Sequence, residues 1–127
     1  TATHGQGYAV FVEGFRGFQG IGLWREVNGN EQELLHTTLA GLASNQDFWV
    51  RFVVEQENPT TTRLRARLWA DGAAEPSTWQ IETSDTTASL QNVSGGVACD
   101  GWSSYTSASG TVAADVFFDE LTVRAAP

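Results

Sequence analysis

Two neighbouring stretches of this chain alternate apolar with other side chains, and this alternation restricts the fold more than any other feature. FWVRFVVE, residues 48–55, has apolar side chains at every even position, and so does RLRARLW, residues 63–69. A period of two is that of a pleated strand with one buried face. Asn58-Pro59 lies between the stretches and breaks the chain. The pattern therefore predicts two strands that pair as an antiparallel hairpin.

Similar signals predict an all-β fold for the rest of the chain. Asn28-Gly29 suits a two-residue hairpin turn, because both residues accept positive φ. Only Leu39–Asn45 has a faint helical character, which Gly41 weakens. Further strands are predicted at residues 8–13, 20–27, 33–38, 78–84, 95–100 and 116–123. Short strands separated by Gly, Asn and Pro indicate one domain over residues 1–127, an antiparallel β-sandwich.

The charge of the chain argues against two classes of partner. Fifteen carboxylates outnumber seven basic residues, all arginine, and the formal net charge is −8. Nucleic acids and anionic membrane surfaces attract a surplus of positive charge, so neither is expected as a partner. No apolar run is long enough for a transmembrane helix. The single cysteine, Cys99, cannot form a disulfide within the chain and is expected to be buried and inert.

The predicted hairpin would collect rings and guanidinium groups on its outer face. These residues are Trp49, Arg51, Arg63, Arg65, Arg67 and Trp69. Aromatic rings stack on the apolar faces of sugars, and guanidinium groups bind hydroxyls or carboxylates. The alternative is that each arginine lies flat over a tryptophan as an ordinary surface cation–π pair and binds no ligand.

Several segments resemble one known family. WADGAAEPSTWQ, with FWVRFVVE and TRLRARLW before it and VFFDELTV after it, is similar to the C-terminal part of concanavalin A-like (LamG-like) jelly-roll domains. GIGLWREVNGNEQELL upstream fits the same pattern, so the resemblance covers about residues 18–124. Such domains occur in bacterial secreted carbohydrate-active proteins and in minor tail proteins of phages that infect actinobacteria. Members usually have more strands before the GIGLW segment, which implies a shortened jelly roll or the C-terminal part of a larger protein.

The resemblance implies a non-catalytic carbohydrate-binding or adhesion module that is secreted or on a virion surface. Its ligand would be a glycan such as a cell-surface polysaccharide. Trp102 and Tyr105 lie in a loop rich in Gly and Ser, where aromatic side chains are hard to bury, and are the sharpest local candidates. We predict that Trp102, Tyr105 and Trp69 stack on sugar rings, with Arg65 and Arg67 orienting the ligand. The alternative for Trp102 and Tyr105 is a small core beneath their own loop.

Acidic residues are the candidates for catalysis and for metal binding. Related glucanases use paired glutamates, but Glu31 and Glu33 flank a turn, and Asp119 and Glu120 face opposite sides of a strand. We therefore expect no enzyme activity. No cofactor or metal site is predicted, although domains of the resembled family can hold a Ca²⁺ at the rim. Its ligands would come from Asp71, Glu75, Asp85 and Asp100, which are equally explained as solvated turn carboxylates.

A structural role is the alternative function. The domain would then build or decorate a filament, phage tail or capsid. A sandwich with missing strands must cover its open sheet edge with another chain or with the missing sequence. We therefore expect a protein partner or a homo-oligomer at such an edge.

Overall fold

Antiparallel strands form most of the regular structure. The computed structural model describes residues 5–13, 19–42, 46–99, 106–107, 110–111 and 118–125. The only helical element in these ranges is a single 3₁₀ turn, Ala88–Leu90. The strands are β1 (Gly7–Glu13), β2 (Gly20–Val27), β3 (Asn30–Thr38), β4 (Phe48–Asn58), β5 (Thr61–Ala70), β6 (Ile81–Asp85), β7 (Thr106–Ser107) and β8 (Gly110–Thr111). The all-β prediction is confirmed for this part of the chain.

The strands form two three-stranded antiparallel sheets and one short pair. The first sheet has the order β1-β2-β3 and the second the order β4-β5-β6, while β7 pairs with β8. Asn28 (φ 53°) and Gly29 (φ 79°) form the two-residue turn between β2 and β3, as predicted. The β4–β5 hairpin is also confirmed, with Trp49 opposite Trp69 and Phe52 opposite Ala66.

Both three-stranded sheets contribute to one apolar core. Strand β2 lies against β5 and β6, and β3 lies against β6. The buried cluster consists of Ile21 and Leu23 from the first sheet with Leu64, Ala66, Leu68 and Ile81 from the second. Even-numbered residues of β5 are buried from Thr62 to Leu68, and odd-numbered ones are half-buried. The period of two thus directs one face of β5 into the core, as the sequence predicts.

The chain divides into two compact units, residues 1–93 and residues 94–125. Both three-stranded sheets belong to the first unit, and β7 and β8 belong to the second. In neither unit do the described residues include a helix that is long and apolar enough to cross a membrane.

Three expectations for the C-terminal third differ from the structure. Residues 95–99 and 118–125 are described without strand pairing, although strands were predicted at 95–100 and 116–123. Alternation makes a segment suitable for a strand, but a strand also needs a partner for its backbone hydrogen bonds. Cys99 was expected to be buried and is exposed. Its apolar neighbour Val97 is also exposed, so this segment contributes no buried face.

Candidate ligand-binding face

The outer face of the β4–β5 hairpin carries the rings and guanidinium groups that the sequence places there. Trp49 lies directly opposite Trp69, and Arg51 lies opposite Arg67. The turn between the strands is fixed by Asn58, whose Oδ1 accepts hydrogen bonds of 3.0 Å from both the backbone N and the Oγ1 of Thr60. A fixed turn sets the pairing register, and the register determines which side chains are neighbours on this face.

Trp49 and Trp69, here called the tryptophan pair, form the main apolar surface of this face. Their ring centroids are 6.5 Å apart, and the ring planes differ by 17°. Trp49 is 38% exposed. Its Nε1 donates a 2.8 Å hydrogen bond to Oδ1 of Asp71, just after β5, which fixes the ring and holds a carboxylate beside it. A fixed ring with an adjacent carboxylate can offer both stacking and a hydrogen-bond acceptor to a ligand.

Arg65 and Arg67 are occupied by contacts within the chain. The Cζ atoms of Arg65 and Arg67 lie 4.9 and 4.1 Å from the centroid of the Trp79 ring. Arg65 donates to Glu55 at 2.6 Å, and Arg67 donates to Glu75 at 2.8 Å. Both arginine side chains are about five-sixths buried, with 15% and 16% exposed. The guanidinium groups therefore stack on a tryptophan, the arrangement that the cation–π alternative describes.

Glu75 links the segment of residues 71–80 to the outer face through ion pairs with Arg51 and Arg67. It accepts one hydrogen bond from Nη1 of Arg67 and lies 3.0 Å from Nη2 of Arg51. Nη2 of Arg67 donates to the carbonyl of Ser77 at 3.2 Å. The Arg51 side chain remains 55% exposed in spite of its ion pair. Of the arginines on this face, Arg51 is therefore better placed than Arg65 or Arg67 to reach a ligand.

The predicted site residues thus have three different placements. Trp69 belongs to the tryptophan pair, whereas Arg65 and Arg67 support Trp79 and the residues 71–80. Trp102 and Tyr105 lie outside the described residues. The structure adds Trp49, Arg51 and Asp71 to the candidate site. The hairpin register placed Trp49 and Arg51 on this face, but the bond from Trp49 to Asp71 has no signal in the sequence.

A second concentration of polar groups lies between the two sheets, around Asp85. This carboxylate is 4% exposed. Its Oδ1 accepts from Nη1 of Arg25 at 2.5 Å and from the Thr87 hydroxyl at 3.0 Å. Its Oδ2 accepts from the Tyr8 hydroxyl and from the backbone N–H of Thr87, both at 2.9 Å. Gln91 Nε2 continues the network with a 3.2 Å bond to the Tyr8 hydroxyl oxygen.

The network determines the ionisation of Asp85. Burial by itself raises the pKa of a carboxyl group, but the donors from Thr87, Tyr8 and Arg25 outweigh it and hold the pKa of Asp85 below its ordinary value. Burial and the bond to Asp85 raise the pKa of the Tyr8 hydroxyl. Asp85 therefore stays ionised with both oxygens occupied, which suits a structural ion pair better than proton transfer.

The other acidic candidates are dispersed. Glu31 lies opposite Glu26 in the β2–β3 ladder, while Glu33 contacts Nδ1 of His36 at 2.5 Å. Asp119 accepts a 2.6 Å bond from the backbone N–H of Glu120. Asp71, Glu75 and Asp85 are bonded to protein donors as described above, and Asp100 lies outside the described residues. Within the described ranges, no three His, Cys, Asp or Glu residues are grouped closely enough to hold a metal ion.

Two clefts in the first unit are small. One, of about 200 Å³, is lined by Pro59, Thr60, Thr86, Ala88, Gln91 and Asn92. The other, of about 160 Å³, lies where β4 begins and β5 ends, and Leu39, Phe48, Leu68 and Trp69 are among its lining residues. Pockets that enclose small molecules usually exceed about 300 Å³. Neither of these clefts, both lined by described residues, is therefore large enough to enclose a typical small-molecule ligand.

Comparison of the chain with models of known protein families, with curated proteins and with solved structures finds no match.

Proposed function

We propose that this chain is a shortened concanavalin A-like jelly roll that acts as a non-catalytic carbohydrate-binding module, secreted or on a virion surface. Its ligand is a cell-surface polysaccharide, which lies across the outer face of the second sheet. The tryptophan pair stacks on sugar rings, Asp71 accepts hydrogen bonds from hydroxyl groups, and Arg51 donates to the ligand. Trp102 and Tyr105 are proposed to add further stacking contacts.

The single observation that carries this proposal is the tryptophan pair with its adjacent carboxylate. An isolated exposed tryptophan is ordinary, but two near-parallel rings on neighbouring strands form a continuous apolar surface. The bond from Trp49 to Asp71 holds that surface in one conformation before any ligand arrives. Such preorganisation reduces the entropy lost on binding.

The first test is a glycan array followed by titration calorimetry with the best polysaccharide found. We expect Trp49→Ala and Trp69→Ala each to weaken binding by about tenfold, because each removes one stacking surface. Trp24→Ala is the matched control, since its indole lies on the first sheet, in an edge-to-face contact with Phe11. Binding that survives the double variant Trp49→Ala/Trp69→Ala would contradict the proposed site.

The second test concerns the two aromatic residues in the loop. We expect Trp102→Ala combined with Tyr105→Ala to weaken binding to the same polysaccharide. Unchanged affinity in this variant would remove both residues from the site and leave the tryptophan pair as the binding surface.

A structural subunit of an assembly is the second candidate, and strand β4 favours it. In the part of the chain that the structure describes, β4 pairs on one side only, with β5. Val50 and Val54, whose even positions direct them to the core side of the sheet, are each 43% exposed. A long edge strand with exposed apolar side chains is a surface on which another strand can add.

A further inference from the structure

We infer that the partner of strand β4 is the β4 strand of a second copy of this chain. The β4-β5-β6 sheets of the two copies then join into one six-stranded sheet. The inference takes up the structural role named above and is separable from glycan binding. The pairing uses the backbone edge of β4 and shares Arg51 with the proposed sugar site, whereas Glu55 belongs to the pairing alone.

The geometry of a two-fold pairing restricts the register. Antiparallel β4 strands related by a two-fold axis perpendicular to the sheet place residue i opposite residue j, and j opposite i. Core-side residues of one copy must meet core-side residues of the other, because a one-residue slip exchanges the faces. This condition is met only when the two residues that face each other are both even-numbered or both odd-numbered.

One of these registers matches both charge and polarity. When Val53 lies on the axis, Arg51 faces the partner's Glu55, and by symmetry Glu55 faces the partner's Arg51. On the core side, Phe52 then faces the partner's Val54. Opposite charges and apolar pairs directly across a ladder each stabilise pairing. Shifting the register by two residues in one direction places Arg51 opposite the partner's Val53, and the ion pairs are lost. Shifting it in the other direction places Arg51 opposite the partner's Glu57, but it also sets the apolar Phe52 opposite the partner's Gln56.

The existing ion pairs of the outer face are compatible with this pairing. Arg51 is held by Glu75 at 3.0 Å and is 55% exposed, and Glu55 is held by Arg65 at 2.6 Å and is 30% exposed. A guanidinium has five donors and a carboxylate can accept about four hydrogen bonds, so each keeps its own partner and gains another. The result is a charge ladder of alternating sign, from Arg65 through Glu55 to the partner's Arg51 and the partner's Glu75.

The test is sedimentation of the full 127-residue chain over a concentration series, with charge reversals in β4. We expect the unmodified chain to dimerise, and Arg51→Glu or Glu55→Arg alone to raise the dimer Kd at least about tenfold by placing like charges opposite each other twice. A mixture of the two single variants should form heterodimers, because both cross-strand pairs are then of opposite charge. An intrachain defect cannot be repaired by mixing, so this outcome excludes mere misfolding of the variants.

A disulfide tests the register itself. In a Cys99→Ser background, Val53→Cys places two thiols on the axis and should give a crosslinked dimer on mild oxidation. Val50→Cys is the matched control, because the two thiols would be about 20 Å apart along the strands and should not crosslink.

Three results would overturn the inference: a monomer at every concentration, equal crosslinking of both cysteine variants, or no heterodimer in the mixture. A monomer whose β4 amide hydrogens are protected from exchange would show that another segment of the same chain covers the edge. Glycan binding is measured on Glu55→Arg, which leaves the proposed sugar site unchanged, so loss of dimerisation with retained binding in this variant leaves the carbohydrate proposal intact.

Discussion

At the scale of single residues, Asp85 has the most demanding environment in the described structure. Burying a carboxylate is costly unless it is paired and fully hydrogen-bonded, and Asp85 has both kinds of partner. Arg25 and Tyr8 come from the first sheet and Asp85 from the second, so the network also links the two sheets. Removing one partner of such a pair leaves other polar groups buried and unsatisfied.

We therefore expect Asp85→Asn to lower the free energy of unfolding by about 2–3 kcal/mol at pH 7, as measured by urea denaturation with circular dichroism. Because the folded pKa of Asp85 lies below its unfolded value, its contribution is present above the unfolded pKa of about 3.9 and is lost as pH falls through the folded pKa. The difference between wild type and variant should be constant from pH 6 to about pH 5 and diminish in acid. A difference that persists unchanged into strong acid would contradict this assignment.

At the scale of elements, residues of the segment from Asp71 to Gln80 cover arginine side chains on the outer face of strand β5. Trp79 lies over Arg65 and Arg67, and Glu75 bonds Arg67. Nη atoms of both arginines have carboxylate partners, but the two Nε atoms are buried without an acceptor among the described residues. Because the Trp79 ring stacks on both guanidinium groups, we expect it to contribute to shielding these atoms from water.

We expect Trp79→Ala to destabilise the protein by about 1–3 kcal/mol, from the apolar contact and two cation–π contacts that it loses. Trp49→Ala provides the comparison, since that ring is more exposed and should cost less stability. Thermal unfolding of both variants measures the difference. If Trp79→Ala and Trp49→Ala lower the stability equally, the contacts of Trp79 with Arg65 and Arg67 do not contribute the extra stability expected here.

The pairing of β2 with β3 requires glycine at position 20, the first residue of β2. A Cβ at this position would clash with the carbonyl oxygen of Thr37 and would lie 2.9 Å from the backbone N of Leu39. Backbone atoms cannot turn aside as a flexible side chain can, so the β2–β3 pairing must shift. We expect Gly20→Ala to cost at least about 2 kcal/mol in urea unfolding. Gly95→Ala is the control, since no atom lies within 4 Å of the added Cβ, and its effect should stay within about 0.5 kcal/mol.

At the scale of the whole molecule, the core belongs to one compact unit. All the buried apolar side chains in the described ranges lie between Ile21 and Leu90, within residues 1–93. Folding is driven mainly by burial of apolar surface, so this unit has its own driving force.

We therefore expect a chain ending after Val93 to fold cooperatively, with dispersed amide signals in NMR spectra and a single urea transition. Retention of the Asp85 network can be followed through the acid dependence described above. A fragment without a cooperative transition would show that residues 94–127 are needed for the core to form.

The sequence by itself predicted the strands of the first unit, with β6 starting three residues too early, and the orientation of the side chains in β4 and β5. Alternation over residues 48–55 and 63–69 requires no knowledge of distant residues, because period and turn chemistry act locally. The Asn28-Gly29 turn is local for the same reason. Once the hairpin register is known, Trp49, Trp69 and the arginines must share the outer face, and the structure places them there.

Only the tertiary structure decided how those side chains are used. Asp85 contacts Tyr8 and Arg25 across 77 and 60 residues of sequence, and no local pattern encodes such a pairing. The same is true of Trp79 covering Arg65 and Arg67, and of Trp49 bonding Asp71. Strand formation at residues 95–99 and 118–125 likewise depends on a partner for the backbone, which alternation does not supply. Period and turns act over a few residues, whereas ion pairs, stacking and ladder partners depend on which distant segments the fold brings together.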